Sequence, residues 1–322
     1  MKLLQLRYLV EVGKLKSISK AAAALCTSQP GISKQIMLLE QELQVSLFVR
    51  KGRNLAGLTP AGEQVLDLAE QVMAKVKAIK QITQQLNNQP GTLAIATTHT
   101  QARYVLPFVV DRFLQKYPTT VLHIHQGTPG QVAKMLEEGE VDLAIATESL
   151  ADKPALVALP CYQWNRCIIV KRGHPLTQQT TLTLDQVAHY AIITYDSGFT
   201  GRHKVDEAFA NAGLVPNIVL TAVDSDVIKT YVKLGLGVGI IASMAFSSDQ
   251  DNDLQALDAE HLFGRSISQI AIKKDAYLPV TTYRFIELLA PHLTQDVIKR
   301  ATACQDLKSR KQMLSNLPIP LY

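Results

Sequence analysis

Thr98, Thr100 and Gln101 lie where a strand-like run gives way to a helix-like one, in Thr97-Thr98-His99-Thr100-Gln101-Ala102-Arg103. Hydroxyls, an amide and the free N–H groups of a first helical turn suit a small anion. Thr200-Gly201-Arg202 repeats that chemistry farther along, and Thr147-Glu148 closes another strand-like run. Each alone reads as an ordinary helix cap or strand end. Three threonine-bearing ends meeting in one cleft would make a binding site, on the side of a sheet where α/β ligands sit.

A second chemistry stands near the amino terminus. Ser17–Leu25 is a short run of small residues, followed by Thr27-Ser28-Gln29-Pro30-Gly31-Ile32-Ser33-Lys34. Thr27 or Ser28 can cap a helix whose first turn tolerates Pro30, because its missing N–H costs least there. Ile32, Ile36, Leu39 and Leu43 share one face of that helix, and Pro30, Lys34 and Gln41 lie roughly opposite. Its polar leading end can enter a major groove, with Gln29 and Ser33 reaching base edges and Lys34 a phosphate. A basic turn follows, carrying Arg50, Lys51 and Arg53, and it can act as a wing against the DNA backbone or minor groove. Residues 1–62 hold nine Lys and Arg against Glu11, Glu40 and Glu42, whereas the rest of the chain is close to neutral. A polyanion meets the amino-terminal end first.

The elements that must position these groups fall into two kinds. Residues 1–59 read as short helices and a wing, a helix-turn-helix. Residues 60–90 hold one long helix with apolar positions Val65, Leu68, Val72, Val76, Ile79, Ile82 and Leu86 stepping by threes and fours. A lone helix cannot bury that stripe, so a partner helix is expected. Asn87-Asn88-Gln89-Pro90-Gly91 is a linker. Beyond it, strands and amphipathic helices alternate, the pattern of α/β units with largely parallel sheets. The strands expected are Leu93–Thr97, Val121–His125, Val141–Ala146, Cys167–Lys171, Ala191–Tyr195, Ile218–Ala222, Val238–Ala242 and Ser266–Lys273. Helices are expected over Ala102–Lys116, Gly130–Glu138, Leu184–His189, Arg202–Ala212, Asp226–Leu234 and Val280–Leu289. The pattern predicts an α/β chain of two periplasmic-binding-protein-like lobes, residues 91–162 with 266–294 and residues 163–265. They are joined by a two-stranded hinge, and a tail over 295–322 reads as helical, then loose.

Several signals point away from other classes. Gly235-Leu236-Gly237-Val238-Gly239 follows a helix and precedes a strand, the reverse of a dinucleotide loop, so it reads as a tight turn. Cys26, Cys161, Cys167 and Cys304 lack zinc-ligand spacing, the histidines lack metal spacing, and no G-x-S-x-G elbow appears. Neither a cofactor nor a metal is expected, and the chain does not read as an enzyme. No apolar run reaches the roughly 18 residues of a membrane span, and Met1–Arg7 is too polar for a signal-peptide core, so a cytoplasmic address is expected.

The amino-terminal motifs resemble the LysR-type winged helix-turn-helix. They are Gln5-Leu6-Arg7-Tyr8, Ser19-Lys20-Ala21-Ala22, Ser28-Gln29-Pro30, Ser33-Lys34-Gln35-Ile36, Leu39-Glu40, Leu47-Phe48-Val49-Arg50 and Leu58-Thr59-Pro60-Ala61-Gly62. One departure is Gln44, where that family usually places glycine after the recognition helix. The resemblance implies promoter DNA as partner, with Ser19, Thr27, Ser28, Gln29, Pro30, Ser33, Lys34, Arg50 and Arg53 as the contacting set. It also implies a homodimer or homotetramer built through the long helix, and contact with RNA polymerase.

Downstream, the chain resembles the CysB/Cbl branch of that family. The matching runs are Thr98–Tyr104, Ala144–Glu148, Leu159–Tyr162, Trp164-Asn165-Arg166, Gly198–Arg202, Asp226–Val232 and Leu234–Gly239. The resemblance implies control of sulfur assimilation and cysteine biosynthesis, with N-acetylserine or O-acetylserine as effector and sulfate or thiosulfate as opposing ligands. It carries the sulfate contacts to Thr98, Gln101, Thr147 and Thr200, with Thr100 and Trp164 nearby. Neutral donors alone would then hold the anion, in a cleft poor in basic residues. A Cbl-type regulator of alternative sulfur sources such as sulfonates is the neighbouring reading. Two readings from other classes are a solute-binding protein without DNA function and an α/β enzyme acting on an acetylated amino acid.

Overall fold

The computed structural model describes residues 1–51, 54–86, 91–199, 201–304 and 306–322, without the side chains of residues 50, 51, 54–56, 81 and 84–86. The chain divides into two compact units, Met1–Asn87 and Asn88–Tyr322. No described helix is long and apolar enough to cross a membrane.

In the first unit, α1 (Leu3–Leu15), α2 (Ile18–Ala24) and α3 (Gln29–Leu43) precede a two-stranded wing, β1 (Phe48–Lys51) and β2 (Asn54–Leu58), and then α4 (Pro60–Leu86). Leu6, Leu9, Val12, Ala21, Ala22, Ile32, Ile36 and Leu39 form its core. The buried alanines of α2 let its neighbours approach closely, as their small size suggests. Gly62, in the first turn of α4, lies against the Leu47 carbonyl, and any Cβ there would run into that oxygen. Thr59 ties the same corner, its hydroxyl donating to Ser46 O at 2.7 Å and accepting from Gly62 N at 2.9 Å.

Gln44 takes the helix-ending position itself, at φ 54° and ψ 31°. The turn that glycine favours is therefore made by a residue with a Cβ, at a cost of roughly 1 kcal/mol. Of the long apolar stripe, Val65 turns inward with Leu66, Ala69 and Met73 onto the winged core. Leu68 and Ile79 stay 60% and 62% exposed, and Val72 and Ile82 are exposed as well.

The second unit runs β3 (Thr92–Thr97), α5 (His99–Tyr104), α6 (Leu106–Lys116), β4 (Val121–Gln126), α7 (Pro129–Glu137), β5 (Leu143–Ala146) and β6 (Leu156–Trp164). Then come β7 (Arg166–Lys171), α8 (Leu184–Ala188), β8 (Ile192–Tyr195), α9 (Arg202–Asn211), β9 (Ile218–Ala222), α10 (Ser225–Lys233) and β10 (Val238–Ala242). It closes with β11 (Leu254–Asp258), α11 (Glu260–Phe263), β12 (Ser266–Lys273), α12 (Val280–Leu289), α13 (Gln295–Ala303) and α14 (Leu307–Ser315). Two five-stranded sheets result, ordered β4-β3-β5-β12-β6 and β11-β7-β10-β8-β9. The chain passes between them twice, from β6 to β7 and from β11 to β12, which is the expected two-stranded hinge.

Three expectations need correction. The sheets are mixed, because β12 pairs antiparallel with both β5 and β6, and β7 pairs antiparallel with β10 and β11. A strand that returns from the other lobe enters its sheet in the opposite sense. The long β6 escapes a pattern reading because Pro160 interrupts it; it is tolerated because β6 is an edge strand. The helix expected over 102–116 is two, parted at Val105, where Pro107 opens the first turn of α6. Finally, residues 295–322 begin with the expected helix, as α13 and α14, but the segment is not loose. Ile298, Ala301 and Leu314 are buried in the first lobe's core, and Gln163 N donates to Pro320 O at 2.7 Å.

Gly62→Ala should cost about 2 kcal/mol or more of stability, since the clash is with backbone. Gln44→Gly should gain up to about 1 kcal/mol. Denaturant unfolding of the two full-length variants checks both, and unchanged midpoints would contradict the described corner.

Candidate functional site

On the DNA side, Ser28 caps α3, its hydroxyl accepting from Gly31 N at 3.2 Å. That bond fixes where the helix starts, and it leaves Gln29, Pro30 and Lys34 exposed with Thr27 and Ser33 half-buried beside them. Ser19 is exposed on α2. Glu40 fastens the far end, its Oε1 accepting from Leu47 N and Phe48 N at 2.8 and 3.2 Å, so recognition helix and wing are tied together. Arg53 and the side chain of Arg50 lie outside the described residues. The sequence reading missed Met37, one turn beyond Ser33 and 44% exposed. An apolar side chain on that face can pack against a thymine methyl; its spacing from Ser33 was the signal.

In the second unit, the expected ligand residues gather where the two sheets meet. Thr98, Thr100, Gln101 and Trp164 are buried and Thr147 is half-buried. One serine joins them. Gln101 Nε2 donates to Ser268 Oγ at 3.1 Å, and Ser268 Oγ lies 3.4 Å from Thr147 Oγ1, which also accepts from Trp164 Nε1 at 3.2 Å. The hydroxyls of Thr97 and Thr98 and the Gln101 carbonyl oxygen are buried with no partner among the described residues. Buried polar atoms are seldom left so, because each costs about 1–3 kcal/mol. Thr100 faces Tyr195 of the second lobe. Thr200 lies outside the described residues, and its neighbour Gly201 stands at the start of α9.

The expectation of a cleft without buried base fails at Arg166. This side chain is 1% exposed, and its Nη2 donates to Gly201 O and Ser266 Oγ, both at 3.0 Å. Its guanidinium lies over the Trp164 ring at 4.6 Å. Burial pulls its pKa down to about 10, which still leaves it charged at neutral pH. Ser266 and Ser268 were legible in principle. Two serines spaced by two on the crossing strand share one face, and that face is the site.

Glu148 closes the site from the first lobe, its Oε1 accepting from Gly201 N at 2.8 Å. Burial raises its pKa, and the Gly201 N–H, His203 and Arg166 only partly offset this. A second set of bonds spans the lobes at α5 and α10. Tyr104 OH donates to Asp226 at 2.6 Å, Arg103 Nε reaches the same carboxylate at 3.3 Å, and Lys229 Nζ lies 3.1 Å from it. Burial works against the Asp226 anion, but Tyr104, Lys229 and Arg103 hold its pKa below the usual value.

A carboxyl whose folded pKa is raised binds protons more readily folded than unfolded, so it loses stability as pH climbs through the two values. Glu148→Gln should therefore raise the unfolding midpoint at pH 8 more than at pH 4. A gain that does not grow with pH in thermal melts would contradict the burial of Glu148.

Two family models match this chain. The "Bacterial regulatory helix-turn-helix protein, lysR family" model covers residues 3–63 and the "LysR substrate binding domain" model residues 87–294. The regulator CysB of Haemophilus influenzae is 47% identical over 321 residues, 99% of each chain. The regulator SsuR of Burkholderia cenocepacia is 46% identical, covering 90% of this chain and 95% of its own. A crystal structure of the cofactor-binding domain of the Cbl regulator superposes with a TM-score of 0.64 at 44% identity, over 66% of this chain and 93% of that one. Winged helix-turn-helix, two-lobed cleft and both family matches agree: the chain belongs to the LysR family of bacterial helix-turn-helix regulators.

Proposed function

We propose that the protein is a DNA-binding transcription regulator of sulfur-assimilation and cysteine-biosynthesis genes, controlled by a small anionic ligand held between the lobes. One observation carries this reading. The same chain presents an exposed, capped recognition helix and, in its other unit, a buried set of threonine hydroxyls with hydrogen-bonding capacity unspent. Similarity to CysB over nearly the whole chain supports the sulfur regulon. Acetylserine and sulfate-like anions are the ligands that this reading carries. Similarity to SsuR and to the Cbl domain favours a second reading, control of genes for alternative sulfur sources such as sulfonates.

The ligand acts by differential contact with lobe arrangements. A molecule that bonds both lobes favours their closed form by its extra affinity for it. Exposed Leu68, Val72, Ile79 and Ile82 on α4 give a seam for a second copy, and a homodimer or homotetramer would place two recognition helices on a promoter. Contact with RNA polymerase and residence in the cytoplasm belong to the same reading, and a catalytic role does not.

DNA affinity should fall steeply with salt as phosphate contacts release counterions. Lys34→Ala should weaken binding across all duplexes and flatten that slope, whereas Gln29→Ala should mainly relax sequence preference, by about 1–3 kcal/mol. Gel shifts of the full chain at several salt concentrations separate the two; an unchanged slope removes Lys34 from the interface. The Thr98 hydroxyl has no partner among the described residues, so Thr98→Val should leave stability intact and lower sulfate affinity on the order of tenfold or more. Equal calorimetric affinity in variant and parent would place the anion elsewhere.

A further inference from the structure

Thr98, Thr100 and Gln101 are presented by α5, a helix of only 6 residues. A helix this short closes too few internal bonds to hold itself, so its neighbours decide where it stands. Thr98, at its cap position, makes no side-chain capping bond, and Gln101 ties the middle of the helix to Ser268 of the same lobe. The other lobe takes hold at the last residue, Tyr104.

Tyr104 bridges the lobes. Its carbonyl, one of those a helix leaves unspent at its end, accepts from Tyr322 OH at 2.9 Å. Tyr322 is fixed to the first lobe: its ring centre lies 5.2 Å from that of Tyr162, and its N–H donates to Gln163 O at 2.9 Å. The Tyr104 side chain goes the other way. Its ring packs on the second lobe's core, and its hydroxyl donates to Asp226 Oδ1 at 2.6 Å, in the first turn of α10. Lys229, one turn along, lies 3.1 Å from the same oxygen. Lys229 is itself buried and fixed, its Nζ donating to Ala245 O at 2.9 Å and to Asp251 at 3.2 Å. That ammonium stands 5.2 Å from the centre of the Tyr104 ring, a further hold on it.

Thr100 repeats the arrangement one turn earlier. It precedes Tyr104 by four residues, so the two share a face of α5. Thr100 faces Tyr195, whose hydroxyl meets Ser225 Oγ at 2.6 Å, and Ser225 is the residue before Asp226. One face of α5 is thereby registered on the first turn of α10 at two points. The first is part of the ligand site, and the second, at Tyr104, lies outside it.

We propose that Tyr104 is a positioning residue for the interlobe site: its grip on Asp226 and Lys229 sets the lobes closed before a ligand arrives. This rests on the ligand site proposed above. A closed form populated in advance spares the ligand the cost of closure, because apparent affinity scales with the fraction of protein competent to bind. Without the Tyr104 bond the contacts to the ligand remain, but fewer molecules offer them.

Trp164 supplies the readout. It is the chain's one tryptophan, it is 1% exposed, and its Nε1 donates to Thr147 in the cleft. Acrylamide quenching of the full-length protein therefore reports opening of the cleft without any ligand. Tyr104→Phe removes the hydroxyl and keeps the ring, and Asp226→Ala removes the acceptor. Each should raise the quenching constant about twofold or more, and saturating sodium sulfate should return it to the parent value. Calorimetric affinity for sulfate should fall about 3- to 10-fold in each variant, the scale of a half-exposed hydrogen bond to a carboxylate, and no further in the double variant. Unchanged quenching in both variants, a rise that sulfate does not reverse, or a double variant in which the two losses multiply overturns the assignment. A parent that binds no sulfate overturns the ligand site; the ligand-free quenching then still supports or refutes closure by Tyr104.

Discussion

A guanidinium buried at the crossing between two sheets sets the terms for the second unit. Arg166 is the first residue of β7, directly after the chain leaves the first lobe, and it cannot reach water. An ion in that place needs oxygens brought to it from both lobes. Gly201 supplies one from the turn before α9, and Ser266 supplies the other from the returning strand. Both crossing strands and the second lobe's α9 are thereby registered on one side chain. Its Nε and Nη1 have no partner among the described residues, which is a standing cost for a buried charge.

Around that centre, several of the contacts that span the lobes are polar, beside apolar ones made by Tyr104, Ala242 and Met244. Tyr104, Arg103 and Lys229 converge on Asp226, and Glu148 meets Gly201. The apolar cores stay largely within each lobe, one built on β3, β5, β6 and β12 and another on β7, β8 and β10. Polar bonds of this kind exchange with water at modest net cost, so the relative position of two rigid lobes is open to a ligand's influence. The first unit has the opposite character. Its wing, recognition helix and the start of α4 are locked by Glu40, Thr59 and Gly62, which suits a surface that must match a groove without rearranging.

The elements with strong periodicity were legible in the chain alone. The strands Ile218–Ala222, Val238–Ala242 and Ser266–Lys273 and the helix Val280–Leu289 fall where their patterns place them. A cap at Thr27 or Ser28, which the structure resolves as Ser28, Pro30 in the first turn and the exposed Gln29 and Lys34 follow from local chemistry, because capping and amphipathicity act over a single turn. That Thr98, Thr100, Gln101 and Thr147 gather was also legible, since a strand end before a helix is where such sheets bind ligands; Trp164 came only from the family resemblance.

Only the tertiary structure decided which charges share that cleft. Nothing near Arg166 in the sequence announces burial, and its partners are 35 and 100 residues away. Ser268 joins Gln101 across 167 residues and Thr147 across 121, separations over which no local pattern carries information. The same holds for the burial of Ile298, Ala301 and Leu314, which look like tail residues until the first lobe's core closes around them. Hydrophobic period and cap chemistry are local properties of a chain, so the sequence determines them. Desolvation of a charge is a property of everything packed around it, and that exists only once the chain has folded.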